Sequence, residues 1–129
     1  MALLKSLLQN RWIYIVTLVI CVIVISVLAF NDPPKQASMP NDKISHYLAF
    51  FALALLISHG LLLKIRYQLV LLGSYGLLIE WVQSYLPYRT ASIADFAADM
   101  AGALTYYLIA AIISLIYRHF FQQESNHAS

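Results

Sequence analysis

Four stretches of about 20 mostly apolar residues take up nearly the whole chain, and the charged residues gather between them and near their ends. A hydrocarbon core ~30 Å thick needs about 20 helical residues to cross it. The pattern therefore predicts an all-α, integral membrane bundle of four transmembrane helices, at about 12–30, 44–63, 67–85 and 93–117. Pro33, Pro34 and Pro40 break helix between the first two spans, and Leu86-Pro87 ends the third. A single domain over 1–120 and a polar tail over 121–129 follow, with Gln122–Ser129 expected to be without order.

The first window, Trp12 to Phe30, follows Lys5 and Arg11 and could pass for a secretory signal. It is longer than a signal-peptide core and no small-x-small cleavage site follows it directly, so it reads as a retained span. Lys5, Arg11, Lys64, Arg66 and Arg118 then fall on one side of the membrane, against Lys35, Lys43 and Arg89 on the other. The side richer in basic residues is cytoplasmic, which places both termini inside an inner (plasma) membrane crossed several times.

Composition agrees with this class: 61% of the residues are hydrophobic and 11% charged, far from the balance of a soluble domain. With four spans, 129 residues leave no room for a soluble catalytic domain. A net charge of +2, dispersed along the chain, gives no footprint for nucleic acid. The single Cys21 lies in the first apolar run, has no partner in the chain for a disulfide, and reads as a packing residue.

The predicted topology carries the ionisable residues of the last three spans to the outer leaflet. Asp42, His46 and Leu53 share one stripe of the second span, with Lys43 one step round and Ala49 and Phe50 beside them. In the third, Gly73, Gly76, Glu80, Gln83 and Pro87 lie close to a common stripe, and in the fourth Asp95, Asp99, Gly102 and Tyr106 do. Small residues let helix backbones approach in lipid, so three stripes that pair small residues with acids predict helices packed around a shared polar pocket. Intramembrane carboxylates default to such an interior with a named partner, and Lys43 and Arg89 are the expected counter-ions.

Plainer readings exist for each of these residues. Glu80, Asp99 and Arg89 could form a purely structural ion-pair network. Asp42 and Asp95 sit near helix starts, where a carboxylate suits the helix dipole and caps free N–H groups. His46 gains interest only from the acids it faces. His59 reads as an interfacial residue without a special role, and Trp12, Trp81, Tyr14, Tyr85 and Tyr88 as belt or packing aromatics.

Three blocks, Asp42-Lys43-x-x-His46-x-x-x-Phe50, Glu80-x-x-Gln83-x-x-x-Pro87-x-Arg89 and Asp95-x-x-x-Asp99-x-x-Gly102, resemble in order and spacing the VanZ-like membrane family, named for a protein associated with teicoplanin resistance. From the first to the last they span residues 42–102, about half the chain. Asp99 departs from the pattern, since many members carry Asn there, and it adds a negative charge to the pocket. The resemblance implies a small bacterial envelope protein of loosely defined biochemistry, without implying drug resistance.

From pocket and resemblance together, the expected role is binding the head group of an envelope lipid or lipid-linked precursor. Asp42, Lys43, His46, Glu80, Gln83, Arg89, Asp95 and Asp99 are the expected binding residues, with Lys43 and Arg89 meeting phosphate or carboxylate. The alternatives are a membrane-embedded enzyme with Glu80 or His46 as general base, in which the acids could hold a metal, and a structural or partner-binding module. Neither a Ser/Cys nucleophile motif nor a strong His/Cys metal signature is present, so no cofactor or metal is expected. The narrow bundle leaves a homodimer open.

Overall fold

A computed structural model describes residues 1–31 and 42–127, and the Pro33–Pro40 break and Lys35 lie outside them. The described chain is all helical: α1 (Ala2–Gln9), α2 (Arg11–Phe30), α3 (Asp42–Gly60), α4 (Ile65–Gln83) and α5 (Ile93–His127). Three helices are long and apolar enough to cross a membrane: Arg11–Phe30, Asp42–Gly60, and α5 over Ile93–Gln122. That is the mark of a membrane protein. The third expected span, α4, matches them in length but carries Arg66, Gln68, Glu80 and Gln83 and falls outside that group.

Two boundaries differ from expectation. Asn10 separates a short α1 from α2 and caps α2 by accepting a hydrogen bond from the Trp12 N–H (3.1 Å). At the other end α5 continues to His127, so the polar stretch expected to lack order is helical as far as that residue. At 1.5 Å per residue, a 35-residue helix is about 52 Å long, well beyond a ~30 Å hydrocarbon core. Polarity of residues 122–127 was a poor guide because a helix leaving an apolar layer needs no apolar face.

Helix α3 is central. It packs most extensively on α5, then on α2, and also touches α4. Its buried Phe50, Leu53, Ala54 and Ile57 meet Leu72 and Ile79 of α4 and Ala103 of α5 in a small core. The outer surface is apolar to a degree a water-facing protein does not tolerate. No residue of α2 is buried, and Val16, Ile20, Ile23, Val27 and Leu28 are all more than half exposed. Leu108, Ile113 and Leu115 of α5 repeat the pattern.

Polar ties between helices replace part of the missing hydrophobic drive. The Tyr75 hydroxyl donates to the Val22 carbonyl (3.1 Å) and lies 2.8 Å from Ser26 Oγ, joining α4 to α2. The Tyr107 hydroxyl donates to Gln68 Oε1 (2.8 Å), and the Ser58 and Tyr106 hydroxyls lie 2.6 Å apart. His59 belongs to this second group: its ring stacks on Tyr14 at 5.0 Å and its Nδ1 donates to the Leu55 carbonyl (2.9 Å).

Helices α3 and α5 approach closely at Gly102, where a Cβ would run into the backbone carbonyl of Tyr47. Backbone cannot step aside as a flexible side chain can, so Gly102→Ala should separate the two helices at a cost of about 1–3 kcal/mol. Gly73→Ala should be tolerated, because its new methyl would meet only Met100, at 3.8 Å. Thermal unfolding of the two purified variants in one detergent checks the contrast; equal midpoints would show that this contact does not limit packing.

Candidate functional site

The polar stripes of α3, α4 and α5 converge near the Asp42 end of α3. Asp99 is wholly buried, Glu80, Gln83 and Asp95 nearly so, while Asp42 and Lys43 remain exposed. His46 reaches across from α3: its Nδ1–H donates to Asp99 Oδ1 at 2.8 Å, and its Nε2 lies 3.9 Å from Asp42 Oδ2 one turn earlier. Lys43 pairs with Asp95 (3.5 Å), as expected of a counter-ion. Gly76 leaves the space the Asp99 carboxylate occupies, since a Cβ there would lie 3.2 Å from Asp99 Oδ2 and from the Phe96 ring.

Glu80 is fixed by the start of α5. Its Oε2 accepts the Ser92 N–H (2.7 Å), and Ser92 Oγ in turn accepts the Ala94 N–H (3.1 Å). A carboxylate at the first N–H groups of a helix meets free donors and the positive end of its dipole. Ser92 was absent from the sequence-based site because it acts through its backbone, which no residue pattern announces.

Arg89 requires a correction. It was expected to neutralise the carboxylates, yet among the described residues it makes no ion pair. Its Nη2 donates to the carbonyls of Leu28 (2.5 Å) and Asn31 (2.9 Å), and its Nε to Asn31 (3.3 Å). Gln83 Nε2 donates to the Ala29 carbonyl (2.9 Å) and the Tyr88 hydroxyl to that of Phe30 (2.7 Å). The last carbonyls of a helix have no donor within it, and in lipid each would be costly. Gln83 and the following Tyr88-Arg89 thus lace α4 and its exit loop to the end of α2. Tyr88 is a helix cap, more than a belt aromatic.

Between α2, α3, α4 and α5 lies a cavity of about 160 Å³. Ile25, Leu28, Ala49, Phe50 and Ile79 form an apolar wall, while Asp42, Ser45, His46, Gln83, Arg89 and Asp99 supply polar groups. Arg89 therefore borders the cavity even though several of its donors are committed to α2. Lys43, Glu80 and Asp95 do not line it. Compared with protein-family models, curated proteins and solved structures, the chain matches none of them.

Hydrogen bonds from a charged donor are worth about 1.5–3 kcal/mol where buried, and the half-buried Arg89 should contribute nearer the lower figure. Arg89→Met should lower stability by about 1.5 kcal/mol by leaving two carbonyls short of donors. Arg89→Lys should recover only part, because an ammonium lacks the planar fork. Chemical denaturation in detergent reads both. A fully stable Arg89→Met protein would show that these bonds do not hold α2.

Proposed function

We propose that this chain is a four-span, VanZ-like protein of the bacterial plasma membrane whose cavity takes the polar head of a membrane lipid or lipid-linked precursor at the outer leaflet. The three motif blocks carry the family assignment, and the basic-residue count carries the orientation, with both termini in the cytoplasm. In this arrangement α4 also crosses the membrane, as the third of the four spans, with its Gln68, Glu80 and Gln83 all buried against its neighbours.

The observation that carries the functional reading is the two-sided cavity. Apolar residues along one wall and hydrogen-bonding groups at the other suit an amphiphile, whose chains stay in lipid while its head is held. At about 160 Å³ and open on one side, the cavity admits a small polar group such as a phosphate. Arg89 offers the anion a donor and Asp99 accepts from hydroxyl or amine groups. Binding is favoured over catalysis because Glu80, a candidate base, stands outside the lining and already accepts the Ser92 N–H.

Ala49→Phe would fill the cavity while leaving its polar groups intact. Native mass spectrometry of the purified wild type should find one retained lipid class that Ala49→Phe loses and Arg89→Lys retains weakly. An identical lipid complement in all three would sink the reading. The orientation is tested separately with Thr90→Cys and Lys64→Cys in a Cys21→Ser background. An impermeant thiol reagent added outside should label the first and spare the second, and the reverse pattern would invert the topology and move the cavity to the inner leaflet.

A further inference from the structure

Two buried side-chain oxygens in the described residues have no hydrogen-bond partner, and both belong to this cluster: Glu80 Oε1 and Asp99 Oδ2. Asp99 has no exposed surface and Glu80 only 9%. Among the described residues no lysine or arginine pairs with them: Lys43 pairs with Asp95, and the ion pairs of His46 go to Asp99 and Asp42. Two buried carboxylates therefore lie near one imidazole, which bonds only Asp99 of the two, in an apolar bundle where an uncompensated charge is expensive. Moreover, one ligand atom from each of His46, Glu80 and Asp99 lies within 4.8 Å of those of the other two.

We propose that His46, Glu80 and Asp99 form a site for a single divalent transition-metal cation of zinc-like preference, with its remaining coordination positions open toward the cavity. Imidazole nitrogen and carboxylate oxygen bond zinc at ~2.0–2.2 Å, which sets tetrahedral ligand separations at roughly 3.4 Å. Separations of at most 4.8 Å close to that by small side-chain movements. The supporting contacts are already in place. The Ser92 N–H holds Glu80 Oε2 and leaves Oε1 for the metal, and Asp42 Oδ2, 3.9 Å from His46 Nε2, faces the ring nitrogen that carries the proton once Nδ1 binds. Metal binding releases the Nδ1 proton, by tautomer shift from a neutral ring or outright from a charged one. His46 and Asp99 also line the cavity, so an occupant there could complete the coordination sphere.

A rival cluster, Asp42, His46 and Asp95, also brings three ligand atoms within 4.8 Å. Its Asp42 is exposed and its Asp95 is already paired with Lys43, so it has no comparable unmet demand.

The test is a titration of chelator-stripped full-length protein with Zn²⁺ in detergent, without added lipid, so its outcome is independent of the head-group reading. Wild type should bind one equivalent. Glu80→Gln and Asp99→Asn should each weaken binding by at least tenfold, whereas Asp95→Asn should bind like wild type. Size exclusion verifies that the variants remain folded. Should either fail to assemble, X-ray absorption of zinc-loaded wild type decides, with a shell of one imidazole nitrogen and otherwise oxygen expected. Absence of stoichiometric binding, a shell containing sulfur or lacking imidazole, equal affinity in folded Glu80→Gln and Asp99→Asn, or loss of binding only in Asp95→Asn would each overturn the proposal.

Discussion

A carboxylate with no exposed surface persists inside an apolar bundle only when another group offsets its desolvation, and for Asp99 that group is His46, 2.8 Å away on a different helix. The bond ties α5 to α3 at the polar end of their shared interface. Its geometry demands that the two backbones come close, which Gly102 permits against Tyr47, and that α4 leave room, which Gly76 provides beside Asp99. The glycines and the acids in the stripes are thus parts of one arrangement. The small residues give helix contact, and that contact brings the imidazole within reach of the acid.

A second demand comes from α2, whose last carbonyls lack donors by the nature of a helix. Gln83, Tyr88 and Arg89 answer it from α4 and its exit loop. Glu80 joins the same loop to α5 through Ser92. The segment from Glu80 to Ser92 therefore ties three helices together, and a substitution in it has structural consequences before any effect on a ligand. This is why conservative replacements, which leave these bonds partly intact, separate the two roles better than truncations do.

Much of the helical organisation was legible in the chain because apolar runs near 20 residues follow from bilayer thickness and Leu86-Pro87, just past the end of α4, cannot continue a helix. The convergence of Glu80, Gln83, Asp95 and Asp99 on an interior was legible too, since residues three and four apart share a helix face. The partners were not. Arg89 could have met a carboxylate or a carbonyl, and the choice depends on where the end of α2 lies, 58 to 61 residues away in the chain. The Glu80 partner is a backbone N–H, which every residue but proline possesses. Ligand-atom triples drawn from separate helices likewise leave no fixed spacing of the kind that marks a zinc finger or an H-E-x-x-H helix.

The distribution of satisfied and unsatisfied groups gives the cavity a polarity of its own. On the α2 side Arg89 and Gln83 present donors, with Arg89 carrying a full positive charge held in place by carbonyls that cannot neutralise it. On the α5 side Asp99 presents an acceptor whose second oxygen is unmet, with Glu80 behind it in the same condition. Lys43 and Asp95 balance each other outside the lining and add little net charge to either side. An occupant that satisfies both walls must therefore carry an anionic or acceptor group toward α2 and a cation or donors toward α5. A purely anionic molecule would meet Arg89 at the cost of facing two carboxylates, and a purely apolar one would leave both walls unpaired. A dipolar head group and a head-group phosphate reaching a bound cation both meet this constraint, which follows from the placement of Asp42, His46, Arg89 and Asp99 around the cavity, with Glu80 behind them.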